Sequence, residues 1–473
     1  MAIHLQSAAR DTAIIIPPRI GALVLGRKRP GFDPAWGADM KRRILGYLAA
    51  LPYPLEVPSE NIADENSLRA AVERCRVAGV TVMVVVQPTI SDGRLAPLLS
   101  RLWDGTLLMW ATPEKPTGRM ISANSLVGTH AMSATLRQMH HPLELVYGDP
   151  DDEETRQALH QSLLAIHGAA SVQRRVLGLV GTHAPGFVDF HADPVFLDAT
   201  LGSQLYHLGT VELLQRVRGY SEAEIAEETE YFRSWQLSWS DDARQAGTVS
   251  DDGTAELAMQ ARYYRALRGL MEENSLDTLA FRCWPDLPSD TGHWPYLALA
   301  RLVSEGFPVA MEGDVDGTIC GRIVESVGVG PVYLSDWLHH DRETITIWHT
   351  GAAPFQMASE PGQPGGPELS VQFNNKLPTV VQSTIRGGMP ATLFRIWRFD
   401  EEYHLCVLEG ETETPDRELM ATNGVFRTAE TDVRRWFEEQ VQRGMPHHVC
   451  IIEGHHAELI RRIGRLLGMV GDR

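Results

Sequence analysis

The sequence predicts an α/β chain: two open, Rossmann-like α/β domains followed by a C-terminal antiparallel β barrel-like domain. Three observations carry that expectation. Strand-length apolar runs alternate with helical periodicity over the first two thirds of the chain. The most apolar of them, 80–86, is Val-rich on consecutive positions, as suits a parallel strand buried on both faces. Beyond Gly351 the strands are short and alternating, with no helix between them.

In chain order, 20–25 reads as a strand. Residues 39–51 follow as a helix with Met40, Ile44, Leu45 and Leu48 on one face. A second helix covers 65–78 and precedes the Val-rich strand. Strands at 107–110 and 143–147 complete a first domain over 1–168. The helix 152–166 leads into the second part. A strand at 175–180 there ends in the glycine-rich turn 181–187. Helices at 221–234 and 253–273 precede strands at 279–283, 307–311, 330–334 and 344–348, giving a central domain over 169–352. The third part, 353–473, opens with Pro, Gly and Gln between 359 and 368. It continues as strands at 369–373, 391–399 and 403–409, then helices at 429–443 and 455–467.

Composition limits the function. The chain has 473 residues, 43% apolar and 22% charged, which is ordinary globular composition. A net charge of −18 argues against nucleic acid or an anionic membrane surface as partner. No apolar run approaches the ~20 residues of a membrane span, and the N-terminus lacks a leader pattern. Cys75, Cys283, Cys320, Cys406 and Cys450 are scattered, with no CxxC pair. They read as buried thiols of a cytoplasmic protein.

The chemistry lies where acids and imidazoles follow strands. Strand 307–311 ends at Glu312, a helix over 318–327 follows, and strand 331–334 ends at Asp336. Read as one β-α-β unit, this puts both strand ends on one edge of a parallel sheet, within one or two spacings of ~4.8 Å. Strand 344–348 ends in His349. Two carboxylates and an imidazole make a hard ligand set, suited to Mn²⁺ or Mg²⁺, with Co²⁺ or Fe²⁺ as substitutes. A fourth ligand is available from His447-His448. Asp314 and Asp316 read as helix caps. The EF-hand-like start at Glu312 fails, because Ile323 stands at the twelfth position and a strand precedes it.

Several stretches resemble the L-fucose and L-arabinose isomerase superfamily, in its fucose-isomerase-like branch. They are Cys283-Trp-Pro-Asp-Leu-Pro288, the run 307–317, and Tyr333-Leu-Ser-Asp336. Trp110-Ala-Thr-Pro-Glu-Lys-Pro116, Asn124 to His130, and His447-His448 with Gly454-His455 extend the resemblance along the chain. It implies a divalent-metal-dependent aldose–ketose isomerase acting on a pentose or a deoxy or modified hexose through an enediol. Mn²⁺ is the implied cofactor, with Glu312, Asp336, His349 and His448 as ligands. Glu312 and Asp336 are also the implied acid/base pair. The spacing of 24 residues from Glu312 to Asp336 is that of fucose isomerases, whereas His349 matches a ligand of arabinose isomerases. Because the two patterns are mixed, the substrate cannot be copied from either.

Three further residues are candidate sugar contacts. His183 lies in the glycine-rich turn. Lys115 and Arg119 lie in a first-domain loop which, in this family, can cover a neighbouring subunit's site. A cationic loop suits an anionic sugar such as a 6-sulfo hexose of the sulfoquinovose type. The resemblance further implies a homo-oligomer, trimer or hexamer. A non-catalytic sugar-binding protein and a metal-dependent lyase or epimerase using the same enediolate are the remaining alternatives.

Overall fold

The computed structural model describes residues 17–27, 32–59 and 61–471. The N-terminal stretch inspected for a leader lies outside them. The chain forms two compact units. One is 16–170 with 465–467, and the other is 171–464 with 468 onward.

The first unit is a five-stranded parallel sheet of β1 (Ile20–Val24), β2 (Leu55–Glu56), β3 (Val82–Val86), β4 (Leu107–Ala111) and β5 (Leu143–Tyr147). Their order is β2-β1-β3-β4-β5. The Val-rich run is continuous in apolar character because both faces of β3 are covered. Val82, Val84 and Val86 pack with Met40, Ile44, Leu48, Leu159 and Leu163. Met83 and Val85 pack with Leu68, Val72, Leu99 and Met132 on the other face. Helix Pro34–Ala50 starts where the Asp33 carboxylate accepts from the Ala35 and Trp36 N–H groups. Helix Glu65–Val77 starts at an Asp64/Ser67 capping box. Helix Glu153–Ala170 packs on this sheet through Leu159, Leu163 and Ile166. Among the described residues no helix is long and apolar enough to cross a membrane.

The second unit holds two sheets. The parallel one contains β6 (Val176–Val180), β7 (Gln204–Leu208), β8 (Thr278–Phe281) and β9 (Val309–Ala310), ordered β7-β6-β8-β9. The antiparallel one contains β10 (Tyr333–His340), β11 (Thr344–His349), β12 (Glu368–Val371), β13 (Pro378–Thr384), β14 (Pro390–Phe399), β15 (Glu402–Glu413), β16 (Thr422–Arg427), β17 (His448–Glu453) and β18 (Val470–Gly471). Six of these close a ring in the order β16-β11-β10-β17-β14-β15, with β15 pairing back to β16. Closure leaves no free edge in the ring. Its interior holds Tyr333, Ile345, Ile347, Leu393, Trp397, Phe426, Val449 and Ile451. The antiparallel barrel expected after residue 353 is therefore present, and it begins earlier.

That earlier start corrects the β-α-β reading. β10 does not return to the parallel sheet beside β9. It pairs antiparallel with β11 and β17 in the barrel. The reason lies in helix Val315–Ser326, which is buried along nearly its whole length. One side meets the parallel sheet, where the Thr318 hydroxyl donates to Thr278 Oγ1 at 3.0 Å. At its start Asp314 meets Arg395 of β14. The helix is a layer between two sheets and carries the chain from one to the other. The strands at 330–334 and 344–348 are likewise barrel strands.

Candidate metal centre

Glu312 stands just past β9, at the C-terminal edge of the parallel sheet. The chain turns sharply there: Glu312 and Gly313 both adopt positive φ, 61° and 75°. At Gly313 the turn requires glycine. A Cβ there would lie 2.5 Å from the Thr182 carbonyl and 2.7 Å from the His183 Cα. The Ala184 N–H donates to the Glu312 carbonyl at 2.8 Å, which locks the turn to the 181–184 loop. A buried non-glycine residue held at positive φ is strain of the kind that marks functional positions.

The other three groups come from adjacent barrel strands. Asp336 of β10 pairs directly with His448 of β17. His349 closes β11, next to β10. Antiparallel pairing brings both imidazoles and the carboxylate to one end of the barrel, facing Glu312. His448 Nε2 lies 3.2 Å from Glu312 Oε2 and 3.5 Å from Asp336 Oδ1. His349 Nε2 lies 4.0 Å from Glu312 Oε2 and 3.7 Å from Asp336 Oδ1. The two Nε2 atoms are 3.0 Å apart. Glu312, His349 and His448 are buried, and the Asp336 side chain is 26% exposed.

This arrangement fits a divalent cation. Ligand atoms about 2.1 Å from an ion stand about 3.0 Å apart at right angles and about 4.2 Å apart across it. The five distances fall within that span. Two imidazole lone pairs 3.0 Å apart repel unless a proton or a cation lies between them. Asp336 Oδ1 is buried and has no hydrogen-bond partner among the described residues, so one acid oxygen is reserved for something else. Glu312, His349 and His448, and also Asp336, His447 and His448, offer ligand atoms within 4.8 Å of one another.

A second layer orients the first. Asp314 Oδ2 accepts from His448 Nδ1–H at 3.0 Å, which turns Nε2 toward the centre. Asp314 also accepts two hydrogen bonds from Arg395, both 2.8 Å, and caps the Gly317 N–H at 2.9 Å. The Trp284 indole N–H donates to Glu312 Oε1 at 2.8 Å, leaving Oε2 for the centre. His349 Nδ1 is 3.0 Å from the Thr350 hydroxyl, whose own proton has the Met311 sulfur at 3.5 Å. The Thr350 backbone N–H, 2.8 Å away, donates to Nδ1, so Nδ1 accepts there.

The electrostatics follow from burial and charge. Burial alone would raise the Glu312 carboxyl, but His448 and His349 outweigh it and hold it at about 2. For Asp314, Arg395 and His448 overcome burial and hold the carboxyl far below its ordinary range. Burial would lower His448, yet Asp314 and Glu312 push it up to about 9. His349 is lowered by burial, which Asp336 only partly offsets.

The structure thus brings Glu312, Asp336, His349 and His448 together, though through two sheets rather than one edge. His183 is adjacent by its backbone, while its ring nitrogen Nδ1 is 3.0 Å from the neighbouring Ala184 carbonyl. Lys115 and Arg119 lie in the first unit, where Lys115 Nζ is 3.4 Å from Asp33 Oδ2. Sequence reasoning treated Asp314 only as a cap and missed Arg395 and Trp284. A signal for one was available. Arg395 sits amid Leu393, Phe394, Ile396 and Trp397 in an apolar strand, and a buried arginine needs a buried acid.

No family model matches the chain. A sulfoquinovose isomerase of Alkalicoccus urumqiensis is 26% identical over 386 residues, covering 80% of this chain and 83% of the relative. A sulfoquinovose isomerase of Priestia aryabhattai is 23% identical over 448 residues, covering 94% and 96%. An L-arabinose isomerase of Thermotoga maritima is 23% identical over 211 residues, covering 43% and 40%. The chain is thus similar over most of its length to sulfoquinovose isomerases and over part of it to an L-arabinose isomerase, which agrees with the resemblance to the L-fucose and L-arabinose isomerase superfamily.

Proposed function

We propose that the chain is a divalent-metal-dependent aldose–ketose isomerase whose substrate is an anionic sugar, a 6-sulfo hexose such as sulfoquinovose. The observation that carries the reaction class is the convergence of Glu312, Asp336, His349 and His448 around one point, with Asp336 Oδ1 unpartnered. The choice of sugar is supported by the relatives named sulfoquinovose isomerases, which align over most of the chain.

Glu312, Asp336, His349 and His448 would hold the metal, with Mn²⁺ the favoured ion for two carboxylates and two imidazoles. When bound, it supplies a positive charge beside the oxygens on which negative charge develops. The protein's own groups handle the protons. Asp336, the more open carboxylate, removes the proton from C2 of the aldose. The C–H electron pair becomes a C1–C2 double bond, and the carbonyl oxygen is protonated. Return of the proton to C1, with loss of the O2 proton, leaves the ketose. Glu312, fixed by the Trp284 indole and enclosed, exchanges the hydroxyl proton. The buried imidazoles keep water from the reacting carbons.

Lys115 and Arg119, acting from the first unit of a neighbouring subunit in a trimer or hexamer, read the sulfonate. The protein is assigned to the cytoplasm. The test is sulfoquinovose with Mn²⁺ in D₂O, followed by NMR. The expected result is the 6-sulfo ketohexose with deuterium at the transferred position, abolished by EDTA and restored by Mn²⁺. Conversion of L-arabinose in preference to the sulfo sugar would refute the substrate assignment. Complete retention of hydrogen would refute the enediol route.

A further inference from the structure

We infer that His447, clamped by Asp189, forms a hydroxyl-reading subsite beside the metal centre, its Nε2 accepting a hydrogen bond from one sugar hydroxyl. The inference rests on the sugar-isomerase reading above and adds a specificity-determining residue to it.

The ring is held on three sides. Its Nδ1 lies 2.7 Å from Asp189 Oδ2, and the His447 backbone N–H donates to the same oxygen at 3.3 Å. Phe187 and Phe190 flank it, with ring centroids at 4.5 and 4.4 Å. A carboxylate can only accept, so the Nδ1 proton stays on Nδ1 and Nε2 presents a lone pair. That Nε2 is buried and has no hydrogen-bond partner among the described residues. The nearest acid oxygen, Asp336 Oδ1, is 3.8 Å away and is itself an acceptor. Two acceptors pointed at the same space leave a position that a hydrogen-bond donor or a cation satisfies, and the metal test below separates the two.

The chemistry selects the ligand. A lone pair beside a carboxylate repels sulfonate or carboxylate oxygens and welcomes an O–H. A sugar hydroxyl donates to Nε2 and keeps its own lone pairs free. Removing that hydroxyl leaves Nε2 buried and unpaired, so a deoxy sugar is rejected. Asp189 acts through His447 and is a positioning residue.

The test is calorimetric binding of 6-deoxy-6-sulfo-D-glucitol and its 1-, 2- and 3-deoxy counterparts to the Mn²⁺-loaded protein. Loss of one neutral hydrogen bond corresponds to about five- to tenfold in Kd, so one deoxy compound should bind the wild type more weakly by that factor. In His447→Ala the difference should collapse, because the partner is already gone. Asp189→Ala should reduce it likewise, while Asp189→Asn, which still accepts from Nδ1–H, should retain most of it. Equal discrimination in wild type and His447→Ala overturns the inference. So does a wild type that fails to bind the parent polyol. A fall of more than about tenfold in Mn²⁺ affinity for His447→Ala, read by EPR, also overturns it, since the ring would then be a metal ligand. Polyol binding by a wild type that interconverts no sugar removes the isomerase reading and leaves the subsite standing.

Discussion

Asp314→Asn separates what holds the barrel from what holds the metal. Asp314 and Arg395 are each 1% exposed and share two hydrogen bonds of 2.8 Å. The amide keeps the shape but removes the negative charge, leaving a guanidinium buried without its counter-charge. Breaking such a pair costs about 3–5 kcal/mol, whereas replacing both partners by apolar groups is often neutral. At about 1.4 kcal/mol per tenfold, amide hydrogen exchange in β10, β14 and β17 should accelerate by roughly two to four powers of ten in the metal-free protein. The same change weakens the orienting bond to His448 Nδ1 and should lower Mn²⁺ affinity by about 10–100-fold, measured by EPR. The double variant Asp314→Leu with Arg395→Met should recover most of the protection and none of the affinity. Wild-type exchange rates together with wild-type Mn²⁺ affinity in Asp314→Asn would refute the reasoning.

Glu312→Gln keeps an acceptor for the Trp284 indole but loses the charge. Turnover should fall by about a thousandfold or more, with an unchanged circular dichroism spectrum and oligomeric mass. Gly313→Ala places a Cβ against the Thr182 carbonyl at positive φ, and should lower stability by about 1–3 kcal/mol in a thermal melt. Metal-free stability should peak between the ordinary values of Glu312 and His448, 4.5 and 6.5. Glu312, held at about 2, contributes above 4.5 and is lost as pH falls toward 2. His448, raised to about 9, contributes below 6.5 and is lost as pH rises through 9. Metal binding needs an unprotonated Nε2, so the Mn²⁺-induced rise in Tm should grow as pH rises from 6.5 toward 9, where the metal-free protein weakens. Lys115→Ala with Arg119→Ala should raise KM for a sulfo sugar and spare a neutral one. An equal rise for both would dismiss the sulfonate contact.

The first unit was readable because periodicity there reports burial directly. A strand covered on both faces cannot alternate, and Val82–Val86 does not. Glu312 and His349 were readable as types at strand ends, whereas Asp336, expected at the end of strand 331–334, lies inside β10, which runs on to His340. Their convergence was inferred from the wrong topology. An apolar helix between two strands looks the same whether it returns to its own sheet or passes to another, since the sequence records only that it is buried. β7 escaped notice because Gln204, Tyr206 and His207 of this edge strand are exposed, leaving no apolar alternation to detect. Asp314 was masked by its own second job, because a residue that caps a helix satisfies the pattern sought for caps and conceals its other partners. Gly313 carries chain-wide information, since only the distant 181–184 loop makes a side chain there intolerable.

β17 follows the other five strands of the ring in sequence and enters between β10 and β14, supplying His448 as it does so. Until it inserts, β10 and β14 each lack a neighbour, and the ion's place has one wall missing. The last strand of the ring to be synthesised is thus also the one that brings His448 to the candidate metal centre. A product ending before residue 448 keeps every strand of both parallel sheets but lacks one of the four proposed ligands. Under the proposed metal dependence, metal occupancy is therefore a report on whether β17 has closed the ring.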